Sequence, residues 1–169
     1  FIHRAETALA LAASRRRPTA ALMMDLDHFK RLNDNCGHLA GDQALIGFAD
    51  AIRSAIGEND LFVRLGGEEF AVLLPDMDLD AATALAASIR RDQEAAAARF
   101  GRWGSTVSIG VACSCASRTP LARLLARADA ALYRAKSAGR NTVTAQRSAK
   151  PDVTPEAARR SPTPAAWPS

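Results

Sequence analysis

Residues 61–75, LFVRLGGEEFAVLLP, set two apolar runs on either side of paired glycines, Gly66 and Gly67. Adjacent residues that tolerate positive φ are what a tight turn between antiparallel strands demands, so this stretch specifies a β-hairpin. The glycines have two compatible tasks: making the turn, and keeping side chains out of the path of anything bound beside it. The oddity is the acid pair that follows, because Glu68 and Glu69 stand at the mouth of a strand otherwise suited to burial. Along an extended EEFAVLL, Glu68, Phe70 and Val72 point to one face and Glu69, Ala71 and Leu73 to the other. Only one glutamate can then readily share a site with a given neighbour.

Upstream, residues 20–24 are unbroken apolar sequence, the signature of a strand covered on both faces, and they meet charge abruptly at Asp25 and Asp27. Asp25 is expected at the C-terminal end of that strand. Elsewhere the apolar period is helical. Ile2, Ala5, Leu9 and Ala12 share one face of an opening helix over residues 1–14, and Pro18 bars its continuation. FKRLNDN predicts a short helix, followed by a loop with Gly37 and Gly41. Leu45, Phe48, Ala49, Ile52 and Ile56 then keep helical spacing until Gly57 supplies a stop. Another helix is expected over residues 80–99, and a last one from the Thr119–Pro120 cap to Gly139. STVSIGVACS reads as a further strand and NTVTAQ as an edge strand. This mixed order predicts an α+β or α/β sandwich with one central sheet, whose strand order does not follow from periodicity.

Length and composition narrow the function classes. A chain of 169 residues suits one domain with a sizeable core, and no apolar run approaches the roughly 20 residues of a membrane helix. The net charge is +4, but apart from SRRRP at residues 14–18 the basic residues are scattered and no aromatic-rich basic stripe accompanies them. That argues against nucleic acid and leaves a phosphorylated small molecule compatible. Cys36, Cys113 and Cys115 form no CxxC pair, so neither a disulfide nor a zinc framework is expected, and a reducing cytoplasm fits. The opening FIHRAETALALAA is too polar for a signal peptide and lacks an initiating Met, which predicts a piece of a longer protein, one that membrane tethering elsewhere would still suit. From Ser148 the chain is rich in Pro, Ala and Ser, predicting a folded domain over 1–147 and a disordered tail over 148–169.

Carboxylates gathered from a strand end and a hairpin repel one another, and a hard divalent cation with oxygen ligands relieves that tension. Mg²⁺ suits Asp25 together with one of the two glutamates. Next to Asp25, Lys30 and Arg31 begin a helix whose free N–H groups can hold phosphate oxygens, the usual company of Mg²⁺. Taken alone, DLDHFK reads equally as a strand end with a solvated cap.

Four stretches together go further: MDLDHFKRLNDNCGHLAGDQAL, RLGGEEFAVLLP, TVSIGVA and RADAALYRAKSAGRN. In that order and spacing they resemble the GGDEF family of bacterial diguanylate cyclases, here in a GGEEF variant, over about residues 1–145. The resemblance implies a central, mostly antiparallel sheet flanked by helices, similar to the palm of class III nucleotide cyclases. It implies condensation of two GTP molecules into cyclic di-GMP by two domains facing each other as a homodimer, under an upstream sensor domain. Carried onto this sequence, Asp25, the Leu26 carbonyl and Glu68 resemble the Mg²⁺ ligands, with Mn²⁺ a possible substitute, and Glu68 also resembles the acceptor of the 3′-hydroxyl proton. Lys30 resembles the lysine that stabilises the transition state, and Lys136 and Arg140 the triphosphate clamp. Asn33 and Asp42 resemble the guanine-reading pair and His38 a pocket residue, while Gly67 clears the nucleotide's path. A carboxylate such as Asp42 accepts from the N1–H and N2–H₂ edge of guanine, which adenine lacks.

Some roles stay open. Glu69 reads as a metal ligand or as a fold-stabilising acid; His38 reads as a loop-structuring residue as well as a pocket residue; Lys136 and Arg140 also suit the C-terminal dipole of their helix. Two departures from the family pattern matter. The segment D-x-L-T-x-x-x-N-R expected at the start is absent, and the product-inhibition motif R-x-x-D reads GEND, with Gly57 for the arginine and only Asp60 retained. Feedback inhibition is therefore expected to be weak. The alternative of another class is a GTP-binding regulatory module without turnover; a polymerase or nuclease would need an extended basic groove that this chain lacks.

Overall fold

The computed structural model describes residues 1–114 and 119–146. In chain order the elements are α1 (Ile2–Ser14), β1 (Thr19–Leu26), α2 (Phe29–Cys36), α3 (His38–Ala55), β2 (Leu61–Gly66), β3 (Glu69–Pro75), α4 (Leu79–Ala97), β4 (Val107–Ser114), α5 (Leu121–Ser137) and β5 (Val143–Gln146). A 3-10 segment, Ala98–Trp103, leads from α4 towards β4.

One five-stranded sheet runs in the order β2-β3-β1-β4-β5. β1 pairs antiparallel with β3 and β4, and β5 joins β4 in parallel, so the expected mostly antiparallel sheet flanked by helices is what forms. β1 takes the centre because it is apolar on both faces, and every one of its residues is buried. Leu22, Met24, Phe70, Val72, Ile109 and Val111 turn to the face covered by α2, α3 and α4, where they meet Leu32, Phe48, Ile52 and Ile89. Ala21, Met23, Ala71 and Leu73 turn to the opposite face and pack with Leu9 of α1 and Leu124, Ala128 and Leu132 of α5. Burying each of the larger of these, the Leu, Ile, Val, Met and Phe side chains, is worth roughly 1.5–3 kcal/mol. Phe70 anchors the hairpin, edge-on to Phe48 at 5.1 Å and stacked on Phe62 at 5.9 Å. α5 lies directly on β4: a methyl at Gly110 would run into the Ala128 carbonyl and the Leu132 amide. That close approach fixes where the last turns of α5 stand over the sheet.

Four local expectations are corrected. Gly41 is not in a loop; it is a buried residue inside α3, and Gly37 alone separates α2 from α3. That helix ends at Ala55 because Ile56 turns extended, φ −103° and ψ 159°, so Gly57 lies beyond the stop. Pro120 serves as the N-cap of α5, with Leu121 its first helical residue. The hairpin turn comprises Gly67 and Glu68, since Gly66 pairs with Glu69 and a bulge between Arg64 and Gly66 shifts the register. The alternation drawn through Glu68 therefore begins one residue later. Cys115 and the tail over 148–169 lie outside the described residues. Among the described residues no helix is long and apolar enough to cross a membrane.

Candidate active site

β1 carries Asp25 to the rim of the sheet between Glu69 of β3 and Ser108 of β4, its register partners. By strand alternation Asp25 leaves the sheet on the α5 side, and Lys136, one turn past Leu132, meets it: Lys136 Nζ stands 2.7 Å from Asp25 Oδ2. Asp25 is only 7% exposed. Burial pushes its carboxyl above the ordinary value of 3.8, and the charge of Asp27 adds to this; the hydrogen bond and charge of Lys136, and the charge of Arg140, work against it. Asp25, Lys136 and Arg140 are thus brought together from opposite ends of the chain.

The hairpin abuts the same rim. The Leu26 amide donates to the Glu68 carbonyl at 3.3 Å, fastening the turn to the end of β1. Glu68 is half-buried and Glu69 exposed. Because Glu69 is the register partner of Asp25, it is Glu69 whose side chain leaves β3 on Asp25's face. Glu68, in the turn beside Gly67 at φ 51°, is outside the pleat and free of that parity. Arg64, which sequence reasoning passed over, holds this turn: its Nε and Nη2 donate to the Gly67 carbonyl at 2.9 and 2.6 Å.

α2 begins at His28, a left-handed residue (φ 56°) that makes no side-chain cap, so no side chain competes for the first amides of the helix. Lys30 lies in the first turn of α2, where it pairs with Asp34 at 2.9 Å with 86% of its side chain exposed, a contact cheap to release. Asn33 is half-buried, folded onto Gly41 so closely that a methyl there would overlap its Oδ1. His38 and Asp42 are both exposed on the first turns of α3, which puts Asp42 beside the residue that Asn33 covers.

Asp27 is the second residue that sequence reasoning left without a task. It is 2% exposed, and its carboxylate accepts from Thr106 Oγ1 and Ser108 Oγ at 2.7 Å each and from the Asn141 amide at 2.9 Å. The signal was its spacing of two from Asp25, which predicts a shared side of the chain. Its partners, far along the sequence, left none.

A hard cation fits this donor set. Among the described residues no group of three or more His, Cys, Asp and Glu gathers in a metal-binding cluster, so side chains alone make no cage. The Asp25 carboxylate and the backbone carbonyls at the end of β1 are nevertheless oxygen donors of the chemistry a hard divalent cation accepts when phosphates and water complete its shell. The ammonium of Lys136 on Asp25 indicates that this oxygen attracts positive charge.

Comparison with known proteins agrees with the geometry. The model of the family described as "Diguanylate cyclase, GGDEF domain" matches residues 1–142. The chain is 37% identical over 142 residues to the probable diguanylate cyclase DgcT of Escherichia coli K12, covering 82% of this chain and 31% of that protein. It is 40% identical over 130 residues to the response regulator PleD of Caulobacter vibrioides, covering 75% and 29%. It thus spans less than a third of the length of these relatives. Among solved structures, the active GGEEF domain of a diguanylate cyclase from Vibrio cholerae superposes with a TM-score of 0.80 at 31% identity, over 88% of this chain and 95% of that one. The GGDEF domain of DgcB from Caulobacter crescentus, in complex with c-di-GMP, gives 0.76 at 31% identity over 85% and 86%. With the sheet, the hairpin turn and the acid-bearing end of β1 all in family order, the chain belongs to the GGDEF domain family of diguanylate cyclases.

Proposed function

We propose that this chain condenses two GTP molecules into cyclic di-GMP with release of two pyrophosphates, each of two domains holding one GTP. The observation that carries the reading is the acid–cation pair of Asp25 and Lys136 at the end of β1, beside the fastened turn that bears Glu68. In this reading Asp25, the Leu26 carbonyl and Glu68 would hold Mg²⁺, or Mn²⁺ in its place, and the ion supplies neutralisation of charge at the α-phosphate. Glu68 takes the proton of the attacking 3′-hydroxyl as its oxygen bonds to the α-phosphorus of the facing GTP and the bond to pyrophosphate breaks. Lys30 counters charge that develops in the transition state, and Lys136 and Arg140 grip the triphosphate. Asn33 and Asp42 read the guanine edge, His38 lines the pocket, and Gly67 leaves room beside the turn.

One GTP per domain makes a homodimer necessary, its rate set by the effective concentration of the second half-site. We further assign residues 1–147 to this domain, an upstream regulatory domain to the longer protein, and a cytoplasmic setting where GTP is available. The test is incubation of the chain, free and fused to a strong dimerising helix, with GTP and Mg²⁺ or Mn²⁺, and mass detection of cyclic di-GMP. Product from the fused protein is the expected result. GTP binding without product in both forms would replace this reading with that of a regulatory module.

A further inference from the structure

The link from α5 to β5 contains a pair of strained residues beside the site. Arg140 (φ 67°) and Asn141 (φ 45°) are consecutive left-handed residues, and neither is glycine. Outside glycine such a conformation is sparsely populated, and two in succession persist only where the surroundings hold them. The Arg140 amide donates to the Ala135 carbonyl at 3.2 Å, and every side-chain bond that holds the pair is made through Asn141 or to its amide. Its amide donates to Asp27 Oδ2 at 2.9 Å, its Nδ2 donates to Glu94 Oε1 at 2.7 Å, and its Oδ1 accepts from Arg90 Nη1 at 2.9 Å. Arg90 also bonds Glu94 Oε2 at 2.9 Å, closing a ring of side chains. Arg90 and Glu94 belong to α4, which covers the sheet face opposite α5. Asn141 is therefore gripped from both faces, while the exposed Arg140 before it acts on Asp25 by its charge.

We infer that Asn141 is a positioning residue for Arg140, and that Arg90 and Glu94 on α4, with Asp27 at the end of β1, set the geometry with which Arg140 meets phosphate. This rests on the reading of Arg140 as a triphosphate contact. Asn suits the post because it tolerates the left-handed region and carries a donor and an acceptor on one planar group, matching the donor of Arg90 and the acceptor of Glu94. The network touches no guanine-reading residue, so its loss acts through the phosphates and spares the base.

The full chain is titrated with the α,β-methylene analogue of GTP, which does not react, and with GMP. Asn141→Ala is expected to weaken the analogue about tenfold, as a misplaced contact does, with GMP unchanged within about twofold. Arg140→Ala should weaken it similarly, and the double variant should be no worse than Arg140→Ala, since the second change removes what the first acts through. Should Asn141→Ala fail to fold, Glu94→Ala on an exposed side chain carries the same comparison with a smaller loss, about threefold. Wild-type affinity in Asn141→Ala or Glu94→Ala, with Arg140→Ala weakened, overturns the positioning role alone. Equal losses for analogue and GMP overturn it as well, revealing general disturbance. An unaffected Arg140→Ala sinks the phosphate reading and the inference together.

Discussion

Lys136 Nζ lies 2.7 Å from Asp25 Oδ2, so the cation assigned to the triphosphate sits on the acid assigned to the metal. The two assignments compete in the absence of nucleotide. An arriving cation must displace the ammonium, and a triphosphate gives the freed lysine a new partner. Lys136→Gln should thus tighten Mn²⁺ binding to the nucleotide-free chain several-fold while weakening GTP. Titration followed by the electron spin resonance of free Mn²⁺ measures the first, and a weaker or unchanged Mn²⁺ affinity contradicts the competition.

Burial of Asp25 has a cost in stability. Its carboxyl is raised above the ordinary value, chiefly by desolvation, so the folded protein binds this proton more tightly than the unfolded chain does. The contribution of this group to stability therefore falls as pH rises from the unfolded value through the folded one, and stays low at neutral pH. Asp25→Asn should raise the stability of metal-free protein at neutral pH by about 1 kcal/mol while abolishing turnover. Thermal scans in chelator check it: the gain should vanish below pH 3.8, where both side chains are neutral, and a gain that persists there refutes the electrostatic cause.

Arg64 grips the Gly67 carbonyl with two parallel N–H donors. Without them the Gly67–Glu68 turn loses its tether on the β2 side, so Arg64→Ala should cut kcat about tenfold with little change in melting temperature. A lysine has no such fork, and Arg64→Lys should not restore the rate. Steady-state kinetics beside thermal scans decide this; full activity in Arg64→Ala would remove any role for the tether.

Gly41→Ala tests the guanine pocket from below. Alanine is favoured over glycine inside a helix by about 1 kcal/mol, which offsets the displacement of a flexible side chain, so the fold should survive. The new methyl overlaps Asn33 Oδ1, however, and forces Asn33 from its position. The expected result is a KM for GTP raised about tenfold at near-normal stability. An unaltered KM would mean that Asn33 does not act from this position.

Product should inhibit weakly. Asp60, the surviving acid of the GEND stretch, uses Oδ2 to accept from the Gly57 amide at 2.8 Å, and no arginine stands at position 57. Calorimetric titration with cyclic di-GMP should reveal no low-micromolar binding at this loop; if binding of that strength appears and Asp60→Ala abolishes it, the expectation is wrong.

Much of this architecture is legible in one dimension. An apolar run of strand length that stops at Asp25 dictates a buried strand with an acid at its rim, and paired glycines between apolar runs dictate the hairpin. Those are local facts, since burial and turn conformation follow from side chains a few residues apart. The cap at Thr119–Pro120 and the stop at Gly139 likewise bound a last helix with Lys136 near its end, as α5 has it.

What only tertiary structure decided is register and company. Whether Glu68 or Glu69 shares the face of Asp25 depends on the pairing of β3 with β1, which sets Glu69 opposite Asp25, and a shift of one position would reverse every side chain. Gly41 looks like a loop residue until α3 is seen to start at His38 and to press it against Asn33. The bond between Asp27 and Asn141 joins positions 114 apart, and the ring with Arg90 and Glu94 unites elements from both faces of the sheet. Such contacts have no sequence period, because they arise only when strand order, crossing helices and a strained link are fixed together.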